Sequence, residues 1–157
     1  MAADETVEIY EDGAMLRDFV YIRDVVQTNR RALMLENGPT IVMNIGSGQA
    51  LSVLEMARLL KEEIGSQSRI NISGRYRLGD VRHSRGDISF AKERIGHEPE
   101  FSVKDGLKDL ITWTRGRVFE SKIEHAIDEL SMKGLTGIAG EKQKKIKPCG
   151  KRKSQKD

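Results

Sequence analysis

The chain has 157 residues, 38% hydrophobic, 32% charged and 5% aromatic, a length for one domain and a composition for a modest core. Its net charge of +3 comes from one end: residues 141–157 hold eight Lys/Arg against two acids, leaving 19 basic against 22 acidic residues elsewhere (27 less 8; 24 less 2), so the body has no global basic face of the kind that marks a nucleic-acid-binding domain. A single cysteine, Cys149, excludes an internal disulfide or a cysteine-based metal site; no apolar run reaches membrane-spanning length, and the acidic start Met1-Ala2-Ala3-Asp4-Glu5 lacks the basic flank and apolar stretch of a signal peptide, so a soluble cytoplasmic protein is expected.

Val7-Glu8-Ile9-Tyr10 alternates like a half-buried strand, Asp12-Gly13 supplies a tight turn, and 16–22 reads as the returning strand of a hairpin. Asp24 is placed to cap a helix over 25–36, with Gly38 as its stop and Pro39 just beyond. Ile41-Val42-Met43-Asn44-Ile45 has the apolar run of a buried strand, and Gly46-Ser47-Gly48 turns the chain. Ser52 and Glu55 form a capping box. The helix behind it has one apolar face of Val53, Met56, Ala57, Leu60 and Ile64, and ends at Gly65.

Arg69-Ile70-Asn71-Ile72 is a further short strand, and 74–86 is polar and reads as a loop. Asp87 or Ser89 caps a short helix that stops at Gly96. Ser102 and Asp105 begin another, with Val103, Leu107, Leu110 and Ile111 inward. A last helix spans roughly 119–132, with Gly134 closing it. Strands alternating with helices imply an α/β arrangement. Four short strands offer a small sheet for five helices, a hint that a partner surface is missing.

Arginine suits diphosphates because its planar fork donates two parallel charge-assisted hydrogen bonds. Arg17 stands at a strand end and Arg77 in a glycine-containing loop; by spacing alone both read as surface residues. The wording around them is more specific. Ile9-Tyr10-Glu11-Asp12-Gly13-x-x-x-Arg17-Asp18-Phe19-Val20-Tyr21-Ile22-x-Asp24-Val25-Val26 resembles the extended short-chain dehydrogenase/reductase family of nucleotide-sugar epimerases and dehydratases. The match continues in order through Asn44-Ile45-Gly46-Ser47-Gly48, Arg75-Tyr76-Arg77-Leu78-Gly79-Asp80-Val81-Arg82-His83-Ser84, Gly96-His97-Glu98-Pro99 and Trp113, and covers about residues 7–137. It is nearest to 4-epimerases acting on UDP- or dTDP-sugars.

The resemblance implies a fold: an α/β, C-terminal substrate-binding portion of a Rossmann-type enzyme, without the N-terminal dinucleotide-binding half, built of a small mixed sheet and about five helices. Residues 1–137 would form that portion and 138–157 a basic, disordered tail. It also implies roles. Arg17 and Arg77 would contact the nucleotide diphosphate, Asp80 the ribose, and Phe19 would line the same pocket. His83 reads as a loop residue, because acid/base work in the family belongs to a tyrosine and a serine or threonine elsewhere.

The family's Tyr-x-x-x-Lys lets lysine lower the tyrosine pKa while NAD accepts a hydride. Four residues after Tyr10, Tyr21 and Tyr76 stand Ala14, Val25 and Asp80, none of them lysine. The glycine-rich cofactor turn is also missing. Gly46-Ser47-Gly48 imitates it, but Leu51 holds the third glycine position, and the structural turn is the preferred reading. His83, His97, His125 and Cys149 lack metal-ligand spacing.

The expected function is therefore the UDP- or dTDP-sugar-binding portion of an NAD-dependent nucleotide-sugar 4-epimerase/dehydratase, truncated or split and inactive alone. NAD is expected for the complete enzyme and not for this chain by itself. Expected partners are the nucleotide-sugar and a separate N-terminal Rossmann half or a homo-oligomer, with no membrane and no nucleic acid. The alternatives are a stand-alone, non-catalytic nucleotide-binding module, or an interaction protein acting through its basic tail.

Overall fold

The computed structural model describes residues 5–35, 40–117 and 122–139. In chain order the elements are β1 (Val7–Ile9), β2 (Leu16–Arg17), α1 (Ile22–Leu33), β3 (Leu51–Ser52), α2 (Val53–Ile64), β4 (Ile70–Ile72), β5 (Arg75–Arg77), α3 (Ser89–Ile95), α4 (Val103–Thr114), α5 (Ile123–Met132) and β6 (Thr136–Ile138).

Local sequence chemistry decides the helix ends. The Ser52 hydroxyl accepts from the Glu55 amide at 3.1 Å while the Glu55 carboxylate accepts from the Ser52 amide at 2.9 Å, so α2 starts on a complete capping box. It stops at Gly65, whose φ of 71° is the left-handed conformation that a Cβ disfavours. Ser102 and Asp105 begin α4 in the same way, at 3.2 and 3.0 Å. Before α3 the Asp87 carboxylate accepts from the Ser89 amide at 3.0 Å, and Gly96 ends that helix.

Asp24 does not act as an N-cap. The cap position of α1 is Tyr21, without a side-chain bond, and Asp24 lies buried in the first turn. Its carboxylate instead accepts from the Glu100 amide at 2.9 Å, tying α1 to the segment before α4. The chain enters its helix three residues earlier than expected and leaves at Leu33, not at 36; residues 36–39, with the expected Gly38 stop, lie outside the described residues.

The strands pair otherwise than their order suggests. The expected hairpin does not form: β1 lies parallel to β4, with Ile9 opposite Ile72, and β2 lies antiparallel to β3. The turn at Asp12-Gly13 is present, with Gly13 N–H on the Tyr10 carbonyl at 3.2 Å, but it diverts the chain to a different ladder. The expected loop 74–86 contains β5, which pairs antiparallel with β6. The Tyr76 ring covers Gly137 on the facing strand, and Ile138 pairs with Arg75, one residue past the expected boundary at 137. Residues 140–157, most of the expected tail, lie outside the described residues, as do 118–121 at the start of the expected last helix.

The expected strand 41–45 has no ladder partner among the described residues, and Val42 is 87% exposed. Apolar burial is sparse to match. Ile9, Met15, Ala57, Ala91, Leu107 and Ile111 are buried, and so are the polar Asp24, Thr28, Ser66, Ser68 and His97. Leu33, Met34, Trp113 and Met132 are exposed. The ladders are two-stranded, and these apolar side chains are not covered by any of the described residues. Among the described residues no helix is long and apolar enough to cross a membrane.

Ser52→Ala removes one half of the α2 box and should lower stability by about 1 kcal/mol; the denaturant midpoint of the two proteins checks it.

Candidate functional site

The site is built where three backbone segments meet at one carboxylate. Asp18 follows β2 directly. Its Oδ1 accepts from the Ser47 amide at 2.7 Å and from the Ser47 hydroxyl at 2.5 Å; its Oδ2 accepts from the amides of Gly48 at 3.2 Å and Gly86 at 3.3 Å. Successive amides pointing into one concavity make an anion nest, and here the anion belongs to the chain itself. A Cβ on Gly46 would overlap the Asp18 carboxylate, which is why glycine stands there.

This decides the Gly46-Ser47-Gly48 turn. A dinucleotide pyrophosphate needs such amides free, and Asp18 fills them. The residues present therefore do not fit a cofactor at this turn. Behind it, His97 is buried with Nε2 at 2.8 Å from the Gly46 carbonyl and Nδ1 at 2.6 Å from Thr28 Oγ1. A carbonyl only accepts, so Nε2 carries the proton there. His97 is a structural tie between α1 and the turn. Among the described residues no cluster of His, Cys, Asp or Glu is placed to hold a metal.

Asp18 fixes its neighbour Arg17, and the segment after Asp80 runs alongside. Leu16 N–H donates to the Arg82 carbonyl and Ser84 N–H to the Leu16 carbonyl, each at 3.0 Å. Arg17 Nη2 then meets Asp80 Oδ1 at 3.0 Å, while Nη1 donates to the carbonyls of Leu16 at 2.8 Å and Arg82 at 3.2 Å. Two residues 63 positions apart are thus brought into contact. Their side chains keep 25% and 30% exposure, open enough for a ligand.

Arg77, the last residue of β5, is tied to Asp80 through the backbone, where Asp80 N–H donates to the Arg77 carbonyl at 3.2 Å. Its guanidinium lies 5.1 Å over the Tyr10 ring. Phe19 is two residues beyond Arg17 and helps line a mainly apolar groove of about 830 Å³ between the entry to α1, Met56 of α2 and the Val103–Trp113 face of α4. Arg17, Arg77 and Asp80 do not line that groove. His83 is exposed and bridges to Leu16 through its backbone.

Tyr21 tests whether a catalytic tyrosine hides here. Its hydroxyl donates to the Asp109 carboxylate, and that bond pushes its pKa above the usual phenol value. A family-type base needs the opposite shift. Sequence reading missed two participants, Asp18 as the nest anion and Arg82 as the loop's anchor. Both stand inside the quoted motifs, but which amides a carboxylate reaches depends on contacts 29 to 68 residues away.

No protein-family model matches the chain. It is 38% identical over 109 residues to dTDP-L-rhamnose 4-epimerase of Burkholderia thailandensis, covering 69% of this chain and 30% of that protein. It is 34% identical over 122 residues to UDP-glucuronic acid decarboxylase 2 of Arabidopsis thaliana, covering 76% and 26%. Among solved structures it resembles UDP-glucose 4-epimerase of Thermotoga maritima with UDP-glucose, at 39% identity and TM-score 0.64 over 73% of this chain and 36% of that one. It also resembles UDP-glucuronic acid 4-epimerase of Bacillus cereus with UDP-glucuronic acid and NAD, at 28% and 0.61 over 71% and 37%. The chain spans about a third of the length of the curated relatives it matches.

Asp18→Ala leaves the Ser47, Gly48 and Gly86 amides without their acceptor and should cost about 2 kcal/mol or more. Gly46→Ala, which displaces the same carboxylate, should match it in direction, both read from denaturant midpoints.

Proposed function

We infer function from one premise: this chain belongs to the extended short-chain dehydrogenase/reductase family of NAD-dependent nucleotide-sugar epimerases and dehydratases, as the C-terminal, substrate-binding portion of that Rossmann-type fold. Its role is to hold the nucleotide end of a UDP- or dTDP-sugar. The observation that carries this reading is the Arg17–Asp80 contact, which sets a fixed guanidinium beside a carboxylate at a partly open surface.

A diphosphate takes the Arg17 guanidinium from Asp80 by a charge-assisted bond, and Arg77 adds a second cation from the adjoining turn. The released Asp80 carboxylate accepts from a ribose hydroxyl. Phe19 lines the separate apolar groove against α2 and α4 and makes no part of this grip. No residue of the chain carries the hydride or proton steps: none of its tyrosines is followed by lysine four positions on, and the Gly46–Gly48 nest is filled by Asp18. In this reading the chain alone is inactive, and the dinucleotide-binding half lies outside these 157 residues, in the same or another polypeptide. UDP- and dTDP-sugar chemistry comes from the named relatives, which are 4-epimerases and a decarboxylase of such substrates.

Calorimetric titration with UDP, dTDP and UDP-glucose should give saturable binding. Arg17→Ala and Arg77→Ala should each weaken it by about tenfold, the loss of one charge-assisted hydrogen bond. No heat at millimolar nucleotide would end this reading. Supplying NAD with UDP-glucose should yield no epimerised product from the chain by itself.

A further inference from the structure

Arg82 is the residue of the 80–84 segment whose side chain the proposed nucleotide contacts leave unexplained. Its two terminal nitrogens reach two different carboxylates: Nη1 to Glu11 Oε2 at 2.7 Å and Nη2 to Asp12 Oδ2 at 2.5 Å. Its backbone carbonyl meanwhile accepts from the Leu16 amide at 3.0 Å and from Arg17 Nη1 at 3.2 Å. One residue therefore fastens the turn before β2 with its side chain and the Arg17 guanidinium with its main chain.

Two further observations agree. Glu11 has a φ of 52°, the single left-handed non-glycine backbone among the described residues. Strain of this kind persists where surrounding contacts over-determine it and gathers at ligand clamps. The Glu11 amide is held by the Arg75 carbonyl at 2.6 Å, and its carboxylate by Arg82. The charge balance also argues against a direct phosphate contact, because two carboxylates already face the Arg82 guanidinium.

We propose that Arg82 is a positioning residue for the nucleotide site: by gripping Glu11 and Asp12 it locks the 80–84 segment beside β2, so that its own carbonyl and Asp80 together orient Arg17 toward the diphosphate. This rests on the reading of Arg17, Arg77 and Asp80 as nucleotide contacts and adds to it a residue that never touches the ligand. The fork matters, because lysine meets one carboxylate at a time. The Arg82 hydrogen bond, before any other cause, lowers the Asp12 pKa from 3.8 to about 2. The sign follows: the pair's contribution is fully present above 3.8 and is lost as pH falls through about 2.

The test titrates UDP into the full chain as wild type, Arg82→Ala, Arg82→Lys and the double variant Glu11→Gln/Asp12→Asn, with carboxyl NMR of Asp12 and guanidinium NMR of Arg17 alongside. Arg82→Ala and the double variant should both weaken UDP binding about tenfold, as losing the support of a contact residue does, with Arg82→Lys between them and wild type. Asp12 should titrate near 2 in wild type and climb back toward 3.8 in Arg82→Ala. The double variant is decisive. It frees the Arg82 cation, so unchanged or tighter binding would overturn positioning in favour of no role or direct phosphate contact. If Arg82→Ala fails to fold, the other two variants still decide. If wild type binds no UDP, the nucleotide reading fails separately, and the Arg17 signals decide the clamp: a shift in Arg82→Lys sustains it, and identical signals overturn it.

Discussion

One carboxylate organises this molecule. Asp18 replaces water with four hydrogen bonds drawn from two segments remote in sequence, the 46–48 turn and Gly86. Charge-assisted bonds to backbone amides are among the stronger in proteins. Without them the turn would carry orphan donors and Gly86 would lose its tie to the residue that follows β2. Arg17 precedes Asp18 directly, so the bonds that hold the carboxylate also hold the root of the guanidinium. The remaining ties at that end have the same character: His97 bridging Thr28 and the Gly46 carbonyl, and Asp24 on the Glu100 amide.

This polar scaffolding explains how a chain with so little apolar burial places a site at all. Six apolar side chains are buried among the described residues, and five polar ones with them. Among the described residues every buried side-chain nitrogen and oxygen finds a partner, so the junction of segments is specified by hydrogen bonds more than by packing. The helices show the other side of that balance. Ile22 and Val26 of α1 and Trp113 of α4 remain open to solvent, and the apolar segment 41–45 lacks a ladder. The curated relatives that the chain matches are about twice its length.

Much of the local structure was legible because it is fixed by residues a few positions apart. The Ser52–Glu55 and Ser102–Asp105 boxes, the stop at Gly65 and the inward Leu107 and Ile111 follow from i, i+3 and i, i+4 chemistry. Where reading failed, the competing partner was distant. Asp24 looks like a cap, but the amide it satisfies is that of Glu100. The hairpin at Asp12-Gly13 lost to a parallel ladder with β4, some sixty residues on. β5 and β6 were hidden because a three-residue strand containing Gly137 has no periodicity to detect, and only the Tyr76 ring across the ladder fills the space a side chain would take.

The sequence by itself determined the family, the helix boundaries set by short-range capping, and the absence of a Tyr-x-x-x-Lys, since each is written in residue identity and spacing. Only the tertiary structure decided that Asp18 fills the nest of the 46–48 turn, that Arg17 and Asp80 touch, and that Arg82 bonds Glu11 and Asp12. The physical reason is range. A capping bond closes over three residues with little loss of chain entropy, whereas the bonds of Asp18, Arg17 and Arg82 close loops of 29 to 71 residues and exist only once the whole chain has folded around them.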